Sequence, residues 1–187
     1  MSGTTRLYVV CGPPAGGKTR YGEKLALRVG AMVVDSDVTT EPVVEAGMGA
    51  AGLCPDDRDS DLYKKLFREP VYEALFRLAE VNLAWLSVVL VAPFTKESRD
   101  EEWPVRLTAR FGVPVEIHFV TCPPEVRRER MRSRGEARDV AKLDDWDAHL
   151  ASIVHSPPPF GHVLVETGPV SYTHLRAHET REDRGWG

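Results

Sequence analysis

Apolar residues in this chain come in short runs that end at glycine or at charge, and the runs alternate with stretches of helical period. Leu7–Cys11 (LYVVC) is a β-rich run that stops at Gly12, as a buried parallel strand would. Further runs at 31–35 (AMVVD), 86–92 (LSVVLVA), 115–120 and 162–166 predict four more strands. Tyr21, Leu25 and Val29 mark one face of a helix that starts at Lys18. Other helices are predicted over 38–47, 62–67, 70–84, 103–111, 124–134 and 143–153. Pro70 and Pro124 fall where a first helical turn begins, so their missing N–H groups cost little. Strands alternating with helices predict an α/β fold, with a five-stranded, mainly parallel sheet between two helical layers.

A length of 187 residues with 42% hydrophobic content suits one domain with a self-sufficient core. The longest apolar run, 83–92, is interrupted by Ser87 and is about half of what a bilayer span requires. With no basic segment leading into an apolar core at the N-terminus, a cytoplasmic protein with no membrane association is expected. Cys11, Cys54 and Cys122 are scattered and odd in number, which points to reduced thiols. The net charge of −4 disfavours a broad nucleic-acid footprint and favours small-molecule partners.

The run from Gly12 to Thr19 reads GPPAGGKT and satisfies the phosphate-loop pattern GxxxxGK[ST]. Such a loop turns successive backbone N–H groups onto phosphate oxygens, and the helix behind it adds the positive end of its dipole. Lys18 supplies charge for the outer phosphates, and the Thr19 hydroxyl is a ligand for Mg2+. Pro13 and Pro14 have no amide hydrogen, so the grip is assigned to Ala15, Gly16, Gly17, Lys18 and Thr19, with Gly12 opening the turn. The expected ligands are ATP or GTP with Mg2+, on a three-layer, kinase-like P-loop domain.

Asp35 and Asp37 follow the second strand, at the sheet edge where α/β folds place substrate groups. Phosphoryl transfer to an alcohol needs a carboxylate to orient the hydroxyl and take its proton, and Asp37 is the first candidate. The competing reading makes both aspartates helix caps. Arg127, Arg130 and Arg134 are spaced i, i+3 and i+7 on the helix after strand four, and Arg138 follows; on one face they could meet a triphosphate, or they could be solvated charge paired with Glu125 and Glu129. Asp56, Asp57, Asp59 and Asp61 alternate like a calcium loop, but Leu62 and Arg68 stand where glycine and glutamate are required, so a solvated loop is expected. His118, His149, His155 and His162 have no metal-ligand spacing.

The P-loop, the Asp35/Asp37 pair and the arginine-rich helix resemble the AAA_33-type ATP-binding proteins, P-loop kinases related to polynucleotide kinase and zeta toxin. The resemblance spans residues 7–169. It implies that Asp37 serves an acceptor hydroxyl, that Arg130 and Arg134 stabilise the transferred phosphoryl group, and that 127–147 forms a lid. One departure is that strand three ends Val91-Ala92-Pro93, without the acidic residue that many P-loop proteins use to organise Mg2+; Asp35 is expected to take that part. A small-molecule alcohol is the expected acceptor. A polynucleotide 5′-hydroxyl, or an ATP-binding module with little turnover, is the alternative. The segment 170–180 (VSYTHLRAHET) resembles a translated sequencing adaptor, so residues 1–169 are expected to form the domain and 170–187 a non-native tail.

Overall fold

The computed structural model describes residues 4–58, 60–153 and 155–168. Asp59 of the acidic loop and the proposed tail at 170–187 lie outside the described residues. Five strands form the sheet: β1 (Leu7–Cys11), β2 (Met32–Asp35), β3 (Val88–Val91), β4 (Val115–Thr121) and β5 (Val163–Glu166). Their order is β2-β3-β1-β4-β5 and every pairing is parallel. The fold expectation is met, with a sheet that is wholly rather than mainly parallel.

All four residues of β3 are buried, as are four of five in β1, because helices cover both faces. On one face α1 (Lys18–Val29) sets Leu25 and Ala26 against Val10, Val89, Val91 and Val120. On the other, α4 (Glu69–Leu83) and α5 (Trp103–Phe111) contribute Leu75, Ala79, Leu83, Trp103 and Leu107 to a larger core with Val9, Leu90, Phe94 and Phe119. The central strand β1 lies between β3 and β4, so its carboxyl end opens a crevice at the point where the connections diverge.

Three helical boundaries differ from expectation, each for a local reason. α2 (Ser36–Ala50) starts two residues early because Asp35 accepts the N–H groups of Asp37 and Val38 and so fixes the first turn. The two helices expected over 62–67 and 70–84 are one continuous path: α3 (Asp61–Tyr63), a π-wound stretch Lys64–Arg68, then α4. Pro70 cannot donate to the carbonyl four residues back, and the wider winding directly precedes it. The helix expected over 143–153 is two, α7 (Val140–Asp144) and α8 (Trp146–Ser152), broken at Asp145. Asp145 leaves helical geometry at φ −123° and ψ 71° to cap α8 through Ala148 N–H. The remaining helix, α6 (Pro124–Arg134), ends at Gly135 in the left-handed conformation, as expected for a glycine stop. Among the described residues no helix is long and apolar enough to cross a membrane.

Gly22 lets α1 lie close on the sheet: a Cβ there would meet Val91 Cγ2 at 2.5 Å. Alanine would gain about 1 kcal/mol of helix propensity, but overpacking a buried contact costs about 1–3 kcal/mol. Gly22→Ala is therefore expected to lower stability by up to about 2 kcal/mol in urea unfolding. An unchanged or raised midpoint would mean that α1 can lift from the sheet at no cost.

Candidate active site

The loop from Gly12 to Gly17 is built from backbone conformations that few residues allow. Gly12 has φ 137°, and a Cβ on it would lie 2.1 Å from the Val120 carbonyl oxygen, so only glycine fits between β1 and β4. Its N–H donates to Pro93 O at 3.3 Å, which ties the loop to the end of β3. Gly17 and Ala15 also take positive φ, 91° and 56°. Gly16 N–H turns inward to Pro13 O at 3.2 Å. That differs from the expected grip: in this conformation the Gly16 amide is spent within the loop. Among the described residues the amides of Ala15, Gly17, Lys18 and Thr19 make no backbone hydrogen bond and α1 has no side-chain cap, which leaves its first-turn donors open for an anion.

Lys18 Nζ donates to Pro13 O at 2.9 Å, which holds the ammonium across the loop. Burial pushes its pKa down to about 8; Asp37, Cys11 and Asp35 pull it upward and Arg134 adds to the depression. Lys18 therefore lies in the combined field of both candidate aspartates and one candidate arginine. Cys11, at the end of β1, has its thiol pushed up to about 12 by burial and takes no nucleophilic part at neutral pH.

Asp35 is buried, and its two oxygens do different work. Oδ1 accepts the amides that cap α2, at 2.9 and 3.5 Å, while Oδ2 accepts the Thr19 hydroxyl at 2.8 Å. The capping reading of Asp35 therefore holds through Oδ1, and Oδ2 is turned to the P-loop hydroxyl. Thr19 and Asp35 present hard oxygens side by side at the start of α1, a donor pair that fits Mg2+ held mainly by phosphates and water. No group of three or more His, Cys, Asp or Glu side chains suited to a metal occurs among the described residues.

Asp37 sits in the first turn of α2 with its side chain largely exposed and makes no cap. Ser36 Oγ donates to its Oδ1 at 3.3 Å, and Arg138 Nη2 donates to its Oδ2 at 3.3 Å. Arg138 also pairs with Glu136 at 2.5 Å and Glu41 at 3.5 Å, and Glu41 pairs in turn with Arg58 at 2.8 Å. Burial works against the charge on Arg138, but the bond to Glu136 and the fields of Asp37 and Glu41 outweigh it and raise its pKa.

The three spaced arginines of α6 reach three different environments. Arg127 is fully buried with Nη2 against His155 Nδ1 at 3.1 Å, while its buried Nε and Nη1 have no hydrogen-bond partner among the described residues; burial lowers its pKa. Arg130 is committed to the P-loop and the end of β5: Nη1 donates to Ala15 O at 3.2 Å and Thr167 Oγ1 at 2.9 Å, and Nη2 to Thr167 O at 2.8 Å. Arg134 alone meets Lys18 electrostatically, and it is held by Asp139 through Nε at 2.5 Å and Nη2 at 2.8 Å. Sequence reasoning missed Asp139, Glu41, Arg58 and Thr167. The signal for Asp139 was present, since Gly135 stops α6 and an acid follows five residues after Arg134.

A five-stranded parallel sheet with a phosphate loop behind its central strand, a carboxylate pair after β2 and an arginine-rich helix after β4 defines a P-loop protein of kinase-like fold. The chain belongs to the AAA_33 family, an AAA domain whose model matches residues 7–155. No protein of curated function matches it. Among solved structures it is similar to a protein from Chloroflexus aurantiacus proposed to be a kinase, at 20% identity and TM-score 0.62 over 88% of each chain. A sugar kinase from Janibacter sp. HTCC2649 matches at 21% identity and TM-score 0.56, over 87% of this chain and 85% of that one. A gluconokinase from Sinorhizobium meliloti matches at 18% and 0.54, over 88% and 85%. At these identities the likeness establishes the fold.

A bound triphosphate adds negative charge beside Lys18 and restores its charged form. Nucleotide binding at about pH 9 is therefore expected to take up close to one proton per site, with little uptake by this group near pH 7. Calorimetry in buffers of different ionisation enthalpy measures this. The uptake should vanish in Lys18→Met, and its persistence there would assign it to another group.

Proposed function

We propose that the protein is an ATP-dependent phosphotransferase that moves the γ-phosphoryl group to a hydroxyl of a small-molecule acceptor. The observation that carries this reading is the P-loop joined to the end of β2 by the Thr19–Asp35 hydrogen bond at 2.8 Å, which sets Lys18 in the field of Asp35, Asp37 and Arg134. In this reading the open amides at the start of α1 and Lys18 hold the phosphates. Thr19 and Asp35 hold Mg2+, which when bound neutralises phosphate charge. Asp37 orients the acceptor hydroxyl and takes its proton, and Arg134 faces the charge that builds on the transferred group. Arg130 fixes the loop to β5 rather than touching the phosphoryl group. Arg127 braces α6 against the segment after α8, and Arg138 holds Asp37 until an acceptor competes for it. Residues 127–147 act as the lid on a domain of residues 1–169.

The acceptor lies in this reading between α2 and the lid, where Asp37, Glu41, Arg58 and Arg138 offer alternating charges. Such a surface suits a polyhydroxyl compound, and a sugar kinase and a gluconokinase share the fold. GTP is retained beside ATP as donor. A second reading, an ATP-binding module with slow or no turnover, is favoured by one observation: β3 runs into Ala92-Pro93, and Pro93 O is occupied by Gly12 N–H instead of an acid organising water.

Transfer from radiolabelled ATP, screened across alcohols, sugars, nucleosides and oligonucleotides, separates the two. A labelled small-molecule product supports the kinase. ATP-induced stabilisation with no labelled product under any acceptor supports the module, and labelling of oligonucleotides alone makes the acceptor a nucleic acid. Asp37→Ala is expected to keep nucleotide affinity and lose transfer by roughly 10²–10⁴-fold, whereas Lys18→Ala weakens nucleotide binding itself. Unchanged transfer in Asp37→Ala would remove the base assignment.

A further inference from the structure

Asp139 is the most deeply buried carboxylate among the described residues, with its side chain 1% exposed, yet its partner Arg134 keeps a third of its own side chain in solvent. It occupies the N-cap position of α7 but caps nothing through its side chain. Both oxygens are instead directed to the guanidinium, Oδ2 to Nε and Oδ1 to Nη2, with Lys142 Nζ a more distant 3.9 Å from Oδ1. This fork uses one edge of Arg134 and leaves Nη1 without a hydrogen bond among the described residues. The backbone is arranged to make the pairing. Gly135, at φ 64°, reverses the chain after α6, and a 3₁₀ turn (Ala137–Asp139) brings Asp139 back under the last turn of that helix.

Stability does not explain such an arrangement. A buried ion pair of this kind is often neutral or unfavourable beside an apolar pair of the same volume, because the carboxylate is stripped of water. What a two-point fork supplies is direction: it fixes the plane of the guanidinium and so the direction of its remaining N–H groups. We infer that Asp139 is a positioning residue that aims the free edge of Arg134 at the phosphoryl group in transit, an inference that rests on the phosphotransferase reading above.

The test compares binding of ADP–aluminium fluoride, a mimic of the transferring phosphoryl group, with binding of ADP, both with Mg2+, to the full chain. Asp139→Asn keeps the shape but replaces one accepting oxygen with a donor. It is expected to bind ADP as the wild type does and to lose at least about tenfold of the preference for the fluoride complex, as a small misalignment of a transition-state contact does. In the Arg134→Ala background the same substitution should cost nothing further. Preference within twofold of wild type in a folded Asp139→Asn protein overturns the inference, as does an additive loss in the Arg134→Ala background. Should Asp139→Asn fail to fold, Asp139→Glu retains the charge but displaces it by a methylene, and the same two outcomes apply to it. A wild-type protein that binds the fluoride complex no better than ADP sinks the phosphotransferase reading itself. A wild-type preference that survives the substitution sinks only the role of Asp139.

Discussion

Asp35 Oδ1 accepts the amides that start α2 while Oδ2 accepts the hydroxyl of Thr19 at the start of α1, so one buried carboxylate sets the spacing between two helix N-termini. The rest of the site depends on that shared contact. α1 carries Lys18 and the first-turn amides, and α2 carries Asp37 two residues after its cap. The two positive helix ends would repel each other at close range, and a carboxylate between them offsets that with charge-assisted hydrogen bonds to both. Without it, neither the Thr19–Asp35 oxygen pair nor the placement of Lys18 relative to Asp37 would be fixed.

The same logic of fixed backbone runs through the phosphate loop. Gly12 is pressed against the Val120 carbonyl and hydrogen-bonded to Pro93 O, so β1, β3 and β4 are all joined at one residue. Pro93 stands where an acid would be expected, and its backbone carbonyl, which any residue there would supply, anchors the loop. The acidic oxygen near Thr19 comes from β2 rather than β3. Arg130 and Thr167 secure the opposite side by bonding the carbonyls of Ala15 and Gly16. The loop is thus held from three strands' ends while its open amides stay free.

Much of this was legible in the sequence. The β-rich runs and the GPPAGGKT motif have their own physics, periodicity and backbone freedom, which neighbours in the fold do not alter; all five strands lie within two residues of their expected bounds. The lid was not legible in the same way. Spacing placed Arg127, Arg130 and Arg134 on one helix face, but what each meets is decided by segments far along the chain: His155, Thr167 and the turn back to Asp139. A face about 100° wide is enough to hold one buried, one bridging and one active-site-facing guanidinium. Helix breaks were hidden for a related reason, since Asp145 and Pro70 act through cap and winding geometry rather than through hydropathy.

Two of the ion pairs made by the segment 127–147, Arg138–Asp37 and Arg134–Asp139, differ enough in setting to imply different behaviour. Arg138–Asp37 spans 3.3 Å with the carboxylate 59% exposed, and a pair in such surroundings contributes about 0–1 kcal/mol. An incoming hydroxyl or phosphate can displace it without a large cost. Arg134–Asp139 has a carboxylate removed from water, so separating the partners would leave an uncompensated buried charge, a change that costs about 3–5 kcal/mol in general. If residues 127–147 move as the proposed lid, the Arg138 contact would exchange while Arg134 and Asp139 travel as a unit. The weak pair is the one that touches Asp37, and the strong pair is the one that neighbours Lys18. Under the proposed phosphotransferase reading, that ordering would leave the acceptor side adjustable and the phosphoryl side fixed, the division that transfer from a constant donor to a variable alcohol would require.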